Sequence, residues 1–166
     1  MNVFYTNSNP ITCAYDHCSV HVNKMIIEYA QILSTAHHFF DKNNNKQIYK
    51  ATHVNHPSVI WARQSKSNYF WLFTLYKELC YIYYLHSGKQ HKSSLILNEL
   101  KIPPDLLPDS KFTEPPLAMP DEFKSNDTVH SYRLYIISKY NDWVSRERKI
   151  KVDWPFGIPY WIIKEN

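Results

Sequence analysis

Glycine is the residue this chain most conspicuously lacks, and its scarcity excludes whole classes of chemistry. Only two glycines stand in 166 residues, Gly88 and Gly157, and neither belongs to a Gly-rich run. Tight hairpins, bulges and phosphate-cradling loops need φ > 0 or close backbone approach, so P-loop and dinucleotide-fingerprint readings are ruled out. Cysteine is sparse too. Cys13, Cys18 and Cys80 are odd in number and show no CxxC spacing, which argues against a disulfide framework and a thiolate zinc site. No apolar stretch approaches the roughly 20 residues needed to span a bilayer. No basic region followed by an apolar run opens the chain. The expectation is a cytoplasmic protein with no membrane partner.

Aromatic residues, in contrast, are plentiful. Thirteen Tyr, eight Phe and five Trp make 16% of the chain, which predicts a ring-rich core. Folding a chain of this size buries roughly 70% of the surface its unfolded form exposes, enough for one domain without staples. Charge is unevenly spread. Residues 41–101 hold nine Lys/Arg against Asp41, Glu78 and Glu99, while residues 102–147 hold five basic against eight acidic residues. The basic half is either a tracker of phosphates or a solvated Lys-rich surface.

Hydrophobic periodicity marks three long helices, so the expected fold is an all-α single-domain bundle over residues 1–166. The first helix is predicted from Ser19 to Phe39, preceded by a short helical turn starting at Asn9-Pro10. Val22, Met25, Ile26, Tyr29, Leu33, Ala36 and Phe40 share its apolar side. The second is predicted as one run of about 30 residues, from His56-Pro57-Ser58 to a stop at Ser87-Gly88. The third runs from Asp127 as N-cap to about Val144, with Tyr132, Ile136, Tyr140 and Trp143 at helical spacing. Asp41–Lys50 reads as a polar loop. Lys101–Pro120, with six prolines, reads as a long irregular connector, since proline fixes φ and removes a donor. The aromatic tail VDWPFGIPYWII is expected to lie across the bundle rather than form an element of its own.

The opposite side of the first helix carries the candidate site: His21, Lys24, Glu28, Gln31, Thr35 and His38. A solvated face is usually dense in Lys and Glu, yet this stripe has one of each. Its other side chains are of the kind that satisfy hydrogen bonds in a half-buried cleft. Lys24 and Glu28 stand at i, i+4, which fits a surface ion pair. It equally fits a carboxylate held near an amine, able to stabilise a developing cation or act as general base. His17/His21 and His53/His56 invite a metal reading. No HExxH signature or suitably offset acid supports one, so neither metal nor cofactor is expected. No GxSxG frames Ser34 or Ser58, and the cysteines read as inert. In the second helix Arg63, Asn68, Tyr69 and Trp71 mix basic, amide and aromatic groups, as a base-stacking surface does, although such aromatics are also common in cores.

Two resemblances follow from these residues. The segments HVNKMIIEYAQILSTAHH, NHPSVIWARQSKSNYFWL and MPDEFK resemble patterns shared by a widespread group of small phage proteins of no established activity, over nearly the full length. More distantly, the order and spacing are similar to the phage pyrimidine-dimer DNA glycosylases of the endonuclease V type. That likeness rests on His21 followed seven residues later by Glu28, a second long helix, the Pro120–Lys124 segment and an aromatic end. It implies an all-α protein acting on DNA or nucleotides and cleaving an N-glycosidic bond through a Schiff base on an N-terminal amine. Glu28, Lys24 and His21 would then be catalytic. Gln31, His38, His53, His56, Arg63, Asn68, Trp71 and Lys124 would bind substrate.

One departure stands out. The family's amine belongs to a threonine exposed by Met removal, whereas this chain begins Met1-Asn2. Met before Asn is usually retained, so the amine is expected at Met1. A desolvated Lys24 is the alternative nucleophile. The rival class is a non-enzymatic phage accessory (counter-defence) protein that binds a nucleotide signal or a host protein in the same pocket.

Overall fold

In a computed structural model, residues 1–41, 45–148 and 150–163 are described in full and Lys164 through its backbone. Every helix and every irregular segment among them belongs to an all-α architecture. Asn9 caps α1 (Pro10–Tyr15), its side chain accepting the Ile11 and Thr12 N–H groups at 2.9 and 3.1 Å. Helix α2 (Ser19–Phe40) follows, its apolar side burying Val22, Met25, Ile26, Tyr29, Leu33 and Ala36 as the periodicity predicts. Phe40 is half-buried against that core. Residues 42–44 of the predicted polar loop lie outside the described residues; residues 45–50 carry no helix.

The second helical run is two helices, not one. Helix α3 (Pro57–Ala62) ends at Arg63, and α4 (Lys66–Ser87) begins afresh. The break has a local cause. Ser65 is extended at φ −154°, ψ 154°, and its hydroxyl accepts the Asn68 N–H at 3.0 Å, an N-cap bond that outcompetes helical continuation. The Lys66 N–H, which a continuous helix would use internally, instead donates to Pro108 O at 2.8 Å. Gly88 then closes α4 in the left-handed region at φ 69°, the role expected of it.

A 3-10 turn at Lys92–Ile96 leads into the short α5 (Leu97–Leu100), neither of which the periodicity announced. The proline-rich stretch is irregular as expected but tightly fixed. Thr113 pairs with Asn68 through both the side-chain carbonyl and amide of that residue, and Thr113 O accepts the Trp61 indole N–H at 2.8 Å. Asp127 caps α6 (Thr128–Ser145), accepting the His130 N–H at 2.9 Å. The tail does form an element, α7 (Tyr160–Lys164), which buries Trp161 and Ile162. It also pins the start of α2, since Asp153 O accepts the Ser19 N–H at 2.7 Å.

Helices α2 and α4 pack along each other at the centre, with α1 and α3 flanking them. The core is ring-rich: Tyr5, Tyr29, Tyr69, Tyr76 and Tyr132 are all fully buried. Burying a phenol without a partner is costly, and most of these hydroxyls find one. Tyr69 donates to Leu100 O at 2.7 Å, Tyr76 to Ser93 O, and Tyr132 to Pro116 O at 2.6 Å, while the Tyr29 oxygen accepts the Phe4 N–H at 3.2 Å. The last of these matters for the site. The apolar segment Val3-Phe4-Tyr5 threads the core instead of fraying, and so draws the chain's first two residues against α2.

Candidate active site

Helical geometry sets His21, Lys24 and Glu28 at i, i+3 and i+7, one above the other on one face of α2. Glu28 is the point on which the surroundings converge. Its Oε2 accepts the Asn2 N–H at 3.0 Å and lies 3.8 Å from the Met1 α-amine; its Oε1 is 3.6 Å from Lys24 Nζ. The carboxylate is only 16% exposed, so these are not pairings in open water. Asn2 makes the arrangement rigid. Its side-chain oxygen accepts the Tyr132 hydroxyl at 2.9 Å and its amide donates to Ala118 O at 2.9 Å. The residue that departs from the glycosylase pattern is thus the one that ties the first residues to α6 and to the connector.

In front of Glu28 opens a cavity of about 290 Å³. Met1, His21, Lys24 and Glu28 contribute its polar groups, with Lys139 from α6; Phe4, Tyr135 and Trp143 supply aromatic walls. Lys139 Nζ sits 4.4 Å from the centre of the Tyr135 ring. Three cationic nitrogens and one carboxylate line the space, a balance that favours an anionic guest. His21 is 3% exposed and packed between the Phe4 and Trp143 rings, at centroid distances of 4.6 and 5.1 Å. Burial, reinforced by His17, Lys139 and Lys24, holds its pKa well below the usual histidine value, so the ring is neutral at pH 7. Its Nδ1 is buried without a hydrogen-bond partner, a state that costs about 1–3 kcal/mol.

The other expected site residues fare differently. Lys24 is 68% exposed, the opposite of the desolvated setting expected of a nucleophilic lysine. Gln31 is half-buried one turn beyond Glu28 and does not line the cavity. Thr35 and His38 are taken up structurally: the Thr35 hydroxyl accepts the Thr52 N–H at 3.1 Å, and His38 Nε2 meets Tyr49 O at 3.0 Å. His56 caps α3, accepting the Ser58 N–H at 3.2 Å. Burial lowers its pKa, and the α-amine charge adds to that, which sets His56 within electrostatic reach of the site. His53 is exposed at a positive φ of 50° and bonded to the Thr52 hydroxyl.

Arg63 does not line the cavity; its guanidinium sits 4.2 Å over the Phe39 ring and donates to Val54 O. Lys124 pairs with Asp121 in solvent. Asn68 and Trp71, expected to bind substrate, are buried core residues whose polar atoms serve the connector and Ser8 O. Among the described residues no three His, Cys, Asp or Glu side chains group as metal ligands. His17 instead spends both ring nitrogens on Cys13 O and the Tyr29 hydroxyl.

Sequence reasoning missed Asn2, Phe4, Tyr135 and Lys139, and read Trp143 as part of an ordinary apolar spacing. The i, i+4, i+8 series Tyr135, Lys139, Trp143 was the available signal for a second cavity wall. A larger cavity of about 520 Å³ lies at the far end of α2, between His37, Lys46 and the 102–106 stretch, remote from this carboxylate. No protein-family model, curated protein or solved structure matches the chain.

Proposed function

We propose that this is a phage protein that acts on DNA or nucleotides, cleaving an N-glycosidic bond at Glu28. The observation that carries the reading is the Met1 α-amine lying 3.8 Å from a largely buried carboxylate in one cation-rich cavity. In its unprotonated form the Met1 amine attacks the sugar C1′. The C1′–N bond breaks, its electron pair departs with the base, and the base takes up a proton from water. Glu28 accepts the proton lost by the attacking nitrogen and stabilises the cationic sugar in the transition state. The C1′–O4′ bond then breaks, the ring oxygen takes the proton held by Glu28, and a protonated imine is left between Met1 and C1′, which water hydrolyses to release the sugar and regenerate the amine. Lys24 and Lys139 hold the phosphate.

Borohydride tests this directly. Incubated with damaged or modified duplex DNA, the protein is expected to form a reducible covalent adduct that maps to the Met1 peptide rather than to Lys24. Abasic sites are expected to accumulate with the native chain and vanish in Glu28→Gln. If neither adduct nor abasic site forms across damaged DNA, modified DNA and free nucleotides, the proposal fails. Recovery of an unchanged nucleotide from the purified protein then favours the accessory role, in which the same cavity holds a nucleotide signal without turnover.

A further inference from the structure

We infer that the group entering the Glu28 cavity is a nucleobase, and that the His21 imidazole, which lines the cavity, hydrogen-bonds to its edge. The inference rests on the nucleotide reading above and adds which part of the nucleotide goes inside. Three observations carry it.

The first is size and lining. At about 290 Å³ the cavity stands at the lower limit of small-molecule sites, roughly 300–1,000 Å³, so it takes one nucleoside-sized group. Phe4, Tyr135 and Trp143 wall it with rings, which favour a flat aromatic guest over a bare sugar phosphate. The second is the unsatisfied nitrogen. His21 is locked between two rings and lines the cavity, and its buried Nδ1 takes no hydrogen bond from the protein. The third is the division of charge. A neutral imidazole offers one donor and one acceptor and pairs with the uncharged edge of a base, whereas the charged Lys24 and Lys139 suit a phosphate. His21 is therefore a specificity residue, acting on the guest through a hydrogen bond and taking no part in bond breaking.

The test uses the full-length Glu28→Gln chain, so that binding is read without turnover. Tryptophan fluorescence, to which Trp143 reports, follows titrations with the four deoxynucleoside 5′-monophosphates and with deoxyribose 5-phosphate. At least one nucleotide is expected to bind ten-fold or more tightly than the sugar phosphate. Adding His21→Phe should weaken that nucleotide about ten-fold while leaving the sugar phosphate unchanged, and His21→Asn should restore part of the loss. Thermal melting confirms that each variant is folded. If His21→Phe does not fold, Tyr135→Leu is used, which removes a ring wall and keeps the Trp143 reporter, with the same selective loss expected.

Equal affinity for nucleotide and sugar phosphate, or no binding of any nucleotide, overturns the inference. So does indifference to both substitutions. The failures are separable from those of the reaction. Nucleotides that bind selectively but are never cleaved overturn the glycosidic chemistry and leave the base site standing. Base release from DNA without any selective nucleotide binding does the reverse.

Discussion

The two ends of the α2 polar stripe are built from the same kinds of side chain and each borders a cavity, of about 320 Å³ at Thr35 and His38 and about 290 Å³ at Glu28, yet they spend their hydrogen bonds differently. At the C-terminal end, the Thr35 hydroxyl accepts the Thr52 N–H and His38 Nε2 meets Tyr49 O. At the N-terminal end, His21, Lys24 and Glu28 face a cavity, and His21 keeps a nitrogen without a partner. A polar helix face is therefore not a site by composition. It becomes one where the surrounding chain leaves hydrogen-bonding capacity unspent and arranges charge around it.

The sharpest way to break this contrast is at its centre. Glu28→Gln keeps shape and removes the carboxylate, and base release is expected to fall by about 10²–10⁴-fold, the usual weight of a positioned acid–base group. Quantifying abasic sites against time checks it, and a rate within two-fold of native would end the catalytic assignment.

Next in size is a pH effect shared by both ends. His17, just before α2, and His37, in its last turn, are buried, and burial lowers each to a pKa of about 4. The unfolded chain takes up those protons first, near pH 6.5. The stabilisation is therefore complete above pH 6.5 and is lost as pH falls toward 4, by about 3 kcal/mol per histidine. Urea midpoints measured from pH 7.5 down to 4.5 should fall accordingly, and His17→Gln should flatten part of the slope. A midpoint constant over that range would refute the buried-neutral state.

Thr35→Val tests the structural end. Removing its hydroxyl leaves the Thr52 N–H unpaired, at a cost of about 1–2 kcal/mol in chemical denaturation, with base release unchanged. A loss of activity with no loss of stability would move Thr35 into the site. The smallest effect belongs to Lys24→Met. Lys24 is itself largely solvated, so its i, i+4 pairing with Glu28 contributes under about 1 kcal/mol and stability should barely change. KM for a nucleotide substrate is expected to rise several-fold at unchanged kcat, and a fall in kcat alone would argue against a phosphate role.

Much of the fold could be read from local pattern. The apolar side of α2, the Asn9 and Asp127 caps and the Gly88 stop each follow from a few neighbouring residues. The break at Ser65 was missed because the apolar spacing runs on through it, while a single hydroxyl bond to Asn68 decides it. The short helix α7 was hidden by the prolines around it. The candidate site was legible only on α2. Periodicity names Glu28 and His21 as neighbours on one face, but it says nothing about what faces them. Asn68 and Trp71 were drawn into the expected site for the same reason: an amide and an indole look alike in sequence whether they meet a ligand or a buried backbone carbonyl.

What the sequence alone determined, then, is the set of helices and the composition of their faces, because both depend on spacing within a few turns. Only the tertiary structure decided which half of the α2 stripe keeps hydrogen-bonding capacity unspent and gathers charge around it. That outcome depends on contacts between residues far apart in the chain: Asn2 with Ala118 and Tyr132, Thr35 with Thr52, and α6 with the cavity before Glu28. Such contacts are chosen by the global packing of the core, where burying Val3, Phe4 and Tyr5 carries the α-amine to the carboxylate.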